Sequence, residues 1–158
     1  MSTDNNTFFK ILIAIDGSET SIKAAEYALD YIAINQKPNV QLIAVTVIEL
    51  VKLNLSTFIA APTFGLKDLE EKRKQAKESI SNIEKLIQLK GKNLEFKSYI
   101  LEDPTLRVSS LIINQAEMEH VNLIVVGNRG RKGFKRMLLG SVASDIVTYA
   151  HCPVLVVK

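Results

Sequence analysis

The chain has few of the residues from which metal and covalent chemistry are usually built. Its 158 residues include one cysteine, Cys152, and two histidines, His120 and His151. A single cysteine excludes an internal disulfide, and one thiol with two imidazoles does not make a zinc site of the usual spacing. Cys152 is therefore expected to be a small core residue. Four motifs are missing as well: G-x-G-x-x-G after the first apolar run, G-x-x-x-x-G-K-[ST], G-x-S-x-G and H-E-x-x-H. Their absence removes the dinucleotide fingerprint, the P-loop, the nucleophile elbow and the zinc-protease helix. Charge is nearly balanced, with 20 Lys and Arg against 17 Asp and Glu for a formal net charge of +3, too little for an overall field that grips nucleic acid. Met1 to Asn6 is polar, with no basic region and no long apolar stretch, so neither a signal peptide nor a membrane span is expected and the protein is expected in the cytoplasm. No repeat or low-complexity stretch interrupts the chain.

What the chain does have is 47% apolar content, enough for one sizeable core and a single domain. Residues 1–8 are expected to form a tail and 9–158 the domain. Lys10 to Ile15 is an apolar run closed by Asp16-Gly17-Ser18, the pattern of a buried strand ending in a turn. Ser18 and Glu19 suit a helix start, and Ile22, Ala25, Leu29 and Ile32 recur at helical spacing until Lys37-Pro38-Asn39 breaks the pattern. Val40 to Ile48 is a second strand, completing a βαβ unit. Glu49 to Gly65 has no clear period and reads as either a lid or a packed loop. A long amphipathic helix follows through Leu66, Leu69, Arg73, Ala76, Ile80, Ile83 and Ile87, stopped by Gly91. Leu94 to Leu101 reads as a third strand. Asp103-Pro104 reads as the start of a helix with Val108, Leu111, Ile112 and Ala116 on its buried face. Val121 to Val126 is a fourth strand, Ser141 to Ala150 a fourth helix and Pro153 to Val157 a fifth strand. Five strands alternating with four helices predict an α/β fold, one open, doubly wound, mostly parallel sheet with helices on both faces.

The most informative stretch follows the fourth strand. Gly127-Asn128-Arg129-Gly130 is met again by Gly140-Ser141 after nine residues, at the opening of a helix. Glycines there let the backbone adopt positive φ or approach a ligand closely. The first-turn N–H groups and the dipole of the helix favour an anion, naturally phosphate. Such glycines can also serve turn geometry alone, and a basic loop can be a solvated surface. However, residues 127 to 141 carry Arg129, Arg131, Lys132, Lys135 and Arg136 with no acid among them, which a turn does not require. If strands one and four are neighbours where strand order reverses, Asp16 faces this loop across one crevice and can accept hydrogen bonds from ribose hydroxyls. The alternative is that Asp16 only caps the first helix.

These residues resemble the universal stress protein family. The resemblance is carried by the pattern G-x2-G-x9-G-S over Gly127 to Ser141, by the opening Ile11-Leu12-Ile13-Ala14-Ile15-Asp16-Gly17-Ser18, and by the closing Cys152-Pro153-Val154-Leu155-Val156-Val157. It covers the chain after the N-terminal tail, and the glycine pattern is that of the ATP-binding branch. The resemblance implies strand order 3-2-1-4-5, bound ATP, and a dimer acting in stress survival and regulation; any Mg or Mn with the ATP is expected to be held through its phosphates. It places Ala14 and Asp16 along the nucleoside and the backbone of Val45 against adenine. Gly127, Arg129 and Gly130 are placed around ribose and phosphates, and Gly140, Ser141 and Val142 as donors to the phosphate tail. Two positions depart from the family pattern: Ala143 stands where a second hydroxyl is common, and Glu102 where a glycine precedes Asp-Pro.

Three functions follow as expectations: an ATP-binding regulator, a slow ATPase or phosphotransferase, and a dimeric scaffold with an empty site. Binding without turnover fits best, because the motif offers cations and backbone donors but no carboxylate placed for a metal or an attacking water, leaving at most slow hydrolysis. The partners expected are ATP, a second copy paired through Val154 to Val157, and a regulatory protein of unknown identity, with no nucleic acid and no membrane.

Overall fold

A computed structural model of the protein describes residues 8–35, 39–50, 62–90, 94–131 and 139–158. Residues 1–7 of the expected N-terminal tail, the centre of the 49–65 stretch, the breaker at Lys37-Pro38, the stop at Gly91 and the cations Lys132, Lys135 and Arg136 lie outside the described residues.

The strands are β1 (Phe9–Ala14), β2 (Val40–Val47), β3 (Glu95–Leu101), β4 (Leu123–Gly127) and β5 (Val154–Val157); the helices are α1 (Glu19–Asn35), α2 (Pro62–Leu89), α3 (Val108–Met118) and α4 (Ser141–Tyr149). They form one parallel sheet of order β3-β2-β1-β4-β5. Strand alternation divides the core in two. Ile11 and Ile13 of β1, Leu42 and Ala44 of β2 and Val125 of β4 point to one face, where α1 and α2 cover them with Ala24, Ala28, Leu29, Ile80 and Ile83. Leu12, Ile43, Val45, Ile124 and Val126 point to the other, under Ile112 and Ala116 of α3 and Ala143 and Ile146 of α4. Both faces of β1, β2 and β4 are therefore covered, which is why these strands read as continuous apolar runs and not as alternating ones.

Most boundaries fall within two residues of the sequence reading, but two helix starts differ by more. Helix α2 begins at Pro62, four residues before the first periodic leucine, using proline where its missing N–H costs nothing. Asp103-Pro104 does not open α3. The Asp103 carboxylate instead accepts from the Thr105 N–H at 2.7 Å and hydroxyl at 2.6 Å, closing a local turn of the kind aspartate favours. Arg107 then stays extended (φ −76, ψ 154) and the helix starts at Val108. Leu111 is consequently only half-buried, while Ile112 and Ile113 fill the core.

Candidate functional site

Strand order reverses between β1 and β4, where the connection from β3 returns to the far side of β1. Loops leaving the carboxyl ends of these strands diverge to opposite faces, and ligands of such sheets sit in the opening between them. Asp16 and the 127–130 loop lie there.

The β1 end is built from its own turn. Gly17 has φ +77, a left-handed conformation that glycine adopts without a Cβ penalty. The Ser18 hydroxyl accepts from the Ser21 N–H at 3.2 Å, so Ser18, not Asp16, caps α1. Asp16 does something else. One carboxylate oxygen accepts from the Ser18 N–H at 3.0 Å and the other from the Arg131 N–H at 2.9 Å, tying the end of β1 to the loop after β4. Burial pushes the Asp16 carboxyl upward, but hydrogen bonds from Ser18, from the Arg131 N–H and from the Ser21 hydroxyl outweigh it and hold the group below its ordinary value. At neutral pH it is an ionised acceptor with lone pairs left over.

The loop glycines serve space and not positive φ, since Gly17 is the only glycine with positive φ among the described residues. A Cβ at Gly127 would stand 2.8 Å from Thr20 Oγ1 and 2.9 Å from the Thr20 carbonyl carbon. Its missing side chain is thus filled by the first turn of α1. A Cβ at Gly130 would stand 2.7 Å from Asp16 Oδ2, so this glycine admits the carboxylate. The Thr20 hydroxyl donates to the Arg129 carbonyl at 2.5 Å, the Asn128 N–H to Val157 at 2.7 Å, and the Gly140 N–H to the Asn128 carbonyl at 2.8 Å. These bonds bring the two ends of the glycine pattern together. Gly127→Ala should destabilise the fold by about 1–3 kcal/mol, because its clash includes backbone that cannot rotate away; a melting curve indistinguishable from wild type would contradict this packing role.

Donors at this end of the sheet lack acceptors among the described residues. Helix α4 has Gly140 at its N-cap and no side-chain capping bond, leaving first-turn N–H groups to be met from outside the helix. The Nε of Arg129 is buried and has no hydrogen-bond partner among the described residues, a costly state unless an acceptor arrives. Of the residues the resemblance singles out, the fold brings Ala14, Asp16, Gly127, Arg129, Gly130, Gly140, Ser141 and Val142 to this end of the sheet. Val45 lies level with Ala14, but its backbone is already engaged. It is 0% exposed, paired with Ala14 on one side and Tyr99 on the other, and its carbonyl accepts from the Ile15 N–H at 2.8 Å. Its backbone is used up by β1. Alternation along a parallel strand makes Val47 the next residue whose backbone turns toward β1, and there β1 has already ended. The sequence reading missed Thr20 and Val47; Thr20 could have been suspected as a hydroxyl in the first helical turn, while Val47 needs the register. Glu102 is held by Arg73 of α2, Nη2 to Oε1 at 2.7 Å, so the loop after β3 is anchored by an ion pair where the family pattern has a glycine.

The sequence model described as "Universal stress protein family" matches residues 7–158. This chain belongs to the universal stress protein family. Universal stress protein MJ0531 of Methanocaldococcus jannaschii is 32% identical over 155 residues, 97% of this chain and 84% of that protein. Among solved structures, universal stress protein UspA from Lactobacillus plantarum superposes with a TM-score of 0.80 at 21% identity, over 97% of this chain and all (100%) of that one. A universal stress protein family protein from Arabidopsis thaliana, solved with AMP bound, gives a TM-score of 0.63 at 16% identity over 94% of this chain and 90% of that one. These two structures share the fold of this universal stress protein. No helix among the described residues is long and apolar enough to cross a membrane.

Proposed function

We propose that this universal stress protein binds ATP in the β1/β4 crevice and acts as a nucleotide-dependent regulator in stress response. The observation that carries the reading is the pairing of complementary groups across one opening. On one side stands the ionised Asp16 carboxylate, suited to ribose hydroxyls. On the other stand the unmet donors of Arg129 Nε and the start of α4, suited to phosphate. Ala14, at the end of β1, lies beside the nucleoside. The backbone of Val47, rather than Val45, meets the adenine. Gly127, Gly130 and Gly140 keep the loop close enough for its amides to work, with Ser141 and Val142 opening the helix. That the Arabidopsis protein of the same fold was solved with AMP bound supports a nucleotide as the ligand class.

Any Mg or Mn accompanying ATP would be held through the phosphates. The described residues assemble no group of three or more His, Cys, Asp or Glu that could hold a metal by themselves. Both oxygens of the Asp16 carboxylate take backbone N–H groups, so Asp16 is a poor candidate for the base of a hydrolytic step, and binding is favoured over turnover. The regulator is a homodimer paired through β5, with a protein partner downstream.

Denaturing gently purified protein and identifying the released nucleotide tests the reading directly: ATP mass supports it, and a protein that arrives empty and takes up no ATP in calorimetry removes it. Asp16→Ala should weaken ATP and adenosine by a similar factor, corresponding to roughly 1.5 to 3 kcal/mol for one charge-assisted hydrogen bond. Unchanged titrations would leave Asp16 as a structural tie alone.

A further inference from the structure

Arg131 has both ends occupied. Its main-chain N–H donates to Asp16 Oδ2 at 2.9 Å, and its guanidinium Nη1 donates to Gln75 Oε1 of α2 at 2.8 Å. The side chain reaches α2 across Gly17, where a Cβ would stand 2.4 Å from Arg131 Nη2 and 2.9 Å from Ser79 Oγ. There it borders a shallow cleft of about 150 Å³ shared with Gln75, Glu78, Ser79 and Asn82. Of the two described arginines in the basic loop, Arg129 has an unmet Nε, while the Arg131 guanidinium is engaged with α2.

The same stretch of α2 touches every other loop at this end of the sheet. Lys72 Nζ donates to the Glu49 carbonyl beyond β2 at 3.4 Å, and Arg73 pairs with Glu102 beyond β3 at 2.7 Å. Ser79 lies beside Gly17 beyond β1, and Gln75 takes the loop beyond β4. Residues 72–79 thus form a rail on which the loops of four strands are seated.

We propose that Arg131 is a strap and not a phosphate ligand: it positions the glycine loop by holding it to Gln75, and through that bond α2 responds to occupancy of the crevice. The second half rests on the nucleotide-binding reading above. The first does not. Each surface contact alone is worth little, but the strap acts on a loop whose donors must be placed before the ligand arrives, so its loss costs affinity through positioning.

Hydrogen exchange on the full chain tests this. In nucleotide-free protein, Gln75→Ala should speed exchange in residues 127–131, while Gln75→Glu, which keeps an acceptor, should restore wild-type protection. Equal exchange in wild type and Gln75→Ala, or failure of Gln75→Glu to rescue, overturns the strap. With ATP added, exchange in residues 70–82 should slow in wild type but not in Gln75→Ala. Gln75→Ala, Arg131→Ala and the double variant should each bind ATP about fivefold more weakly, one hydrogen bond's worth counted once. Additive losses would make Arg131 a direct phosphate contact and overturn the proposal, as would ATP binding by wild type with no change in α2. If wild type takes up no ATP, the functional reading fails, and the nucleotide-free comparison still decides whether the strap exists.

Discussion

Gly130→Val should reduce ATP affinity by at least about 100-fold, or roughly 2.7 kcal/mol, while leaving the protein folded. The expectation comes from the space the glycine leaves. A single Cβ already stands 2.7 Å from Asp16 Oδ2 and 3.8 Å from Asp16 Cγ, and the same oxygen holds the Arg131 N–H at 2.9 Å. Valine adds two methyl groups to that clash, so either the carboxylate or the loop must leave its place. A displaced carboxylate loses the ribose acceptor; a displaced loop moves its donors off the phosphates. The fold survives because Gly130 is exposed and belongs to neither core cluster. Gly130→Ala should lose less, since a carboxylate can yield by a few tenths of an ångström to one methyl group. Calorimetry with ATP, run beside thermal melts of each variant, checks the gradation. A folded Gly130→Val protein with wild-type affinity would detach the glycine loop from nucleotide binding.

The parts of this structure legible in the sequence are those governed by short-range pattern. Unbroken apolar runs such as Ile11 to Ile15 mark strands covered on both faces, and the spacing of Ile80, Ile83 and Ile87 marks the buried stripe of α2. What stayed hidden depends on register or on a competing local bond. The resemblance places the backbone of Val45 against adenine, and only the pairing of Ile15 with its carbonyl shows that this backbone is already spent. Asp103 before a proline has the composition of a helix start, but its carboxylate found Thr105 first. The glycine loop was read for conformational freedom or ligand approach, yet Gly127 is occupied by Thr20, a residue 107 positions earlier that no local reading could place beside it. Asp16 had two readings, cap or ligand, and the fold adds a third role as a tie between loops.

Val156→Pro should convert the proposed dimer to monomer, because residue 156 turns its backbone N–H to the outer edge of β5. The strand lies at the sheet edge beside β4. The carbonyls of Pro153 and Val157 accept from the N–H groups of Ile124 and Asn128 at 3.0 and 2.7 Å. In a parallel ladder every second residue faces the same neighbour, so Pro153, Leu155 and Val157 face β4, whereas Val154 and Val156 turn their N–H and C=O groups to the open edge. Such an edge invites a strand from another molecule, and β5 itself carries no charge to discourage one. A second copy antiparallel about a two-fold axis satisfies those groups symmetrically. Proline at 156 removes one outward donor and leaves the bonds to β4 intact. Leu155→Asp would be a poorer probe, because Leu155 is partly buried against the core under α1 and α2, and a carboxylate placed there would destabilise the subunit as well as separate it. Light scattering should give twice the 17.6 kDa chain mass for wild type and a single chain for Val156→Pro, with unchanged near-ultraviolet circular dichroism. A wild-type monomer, or a Val156→Pro protein that remains dimeric, would place the interface elsewhere or remove it.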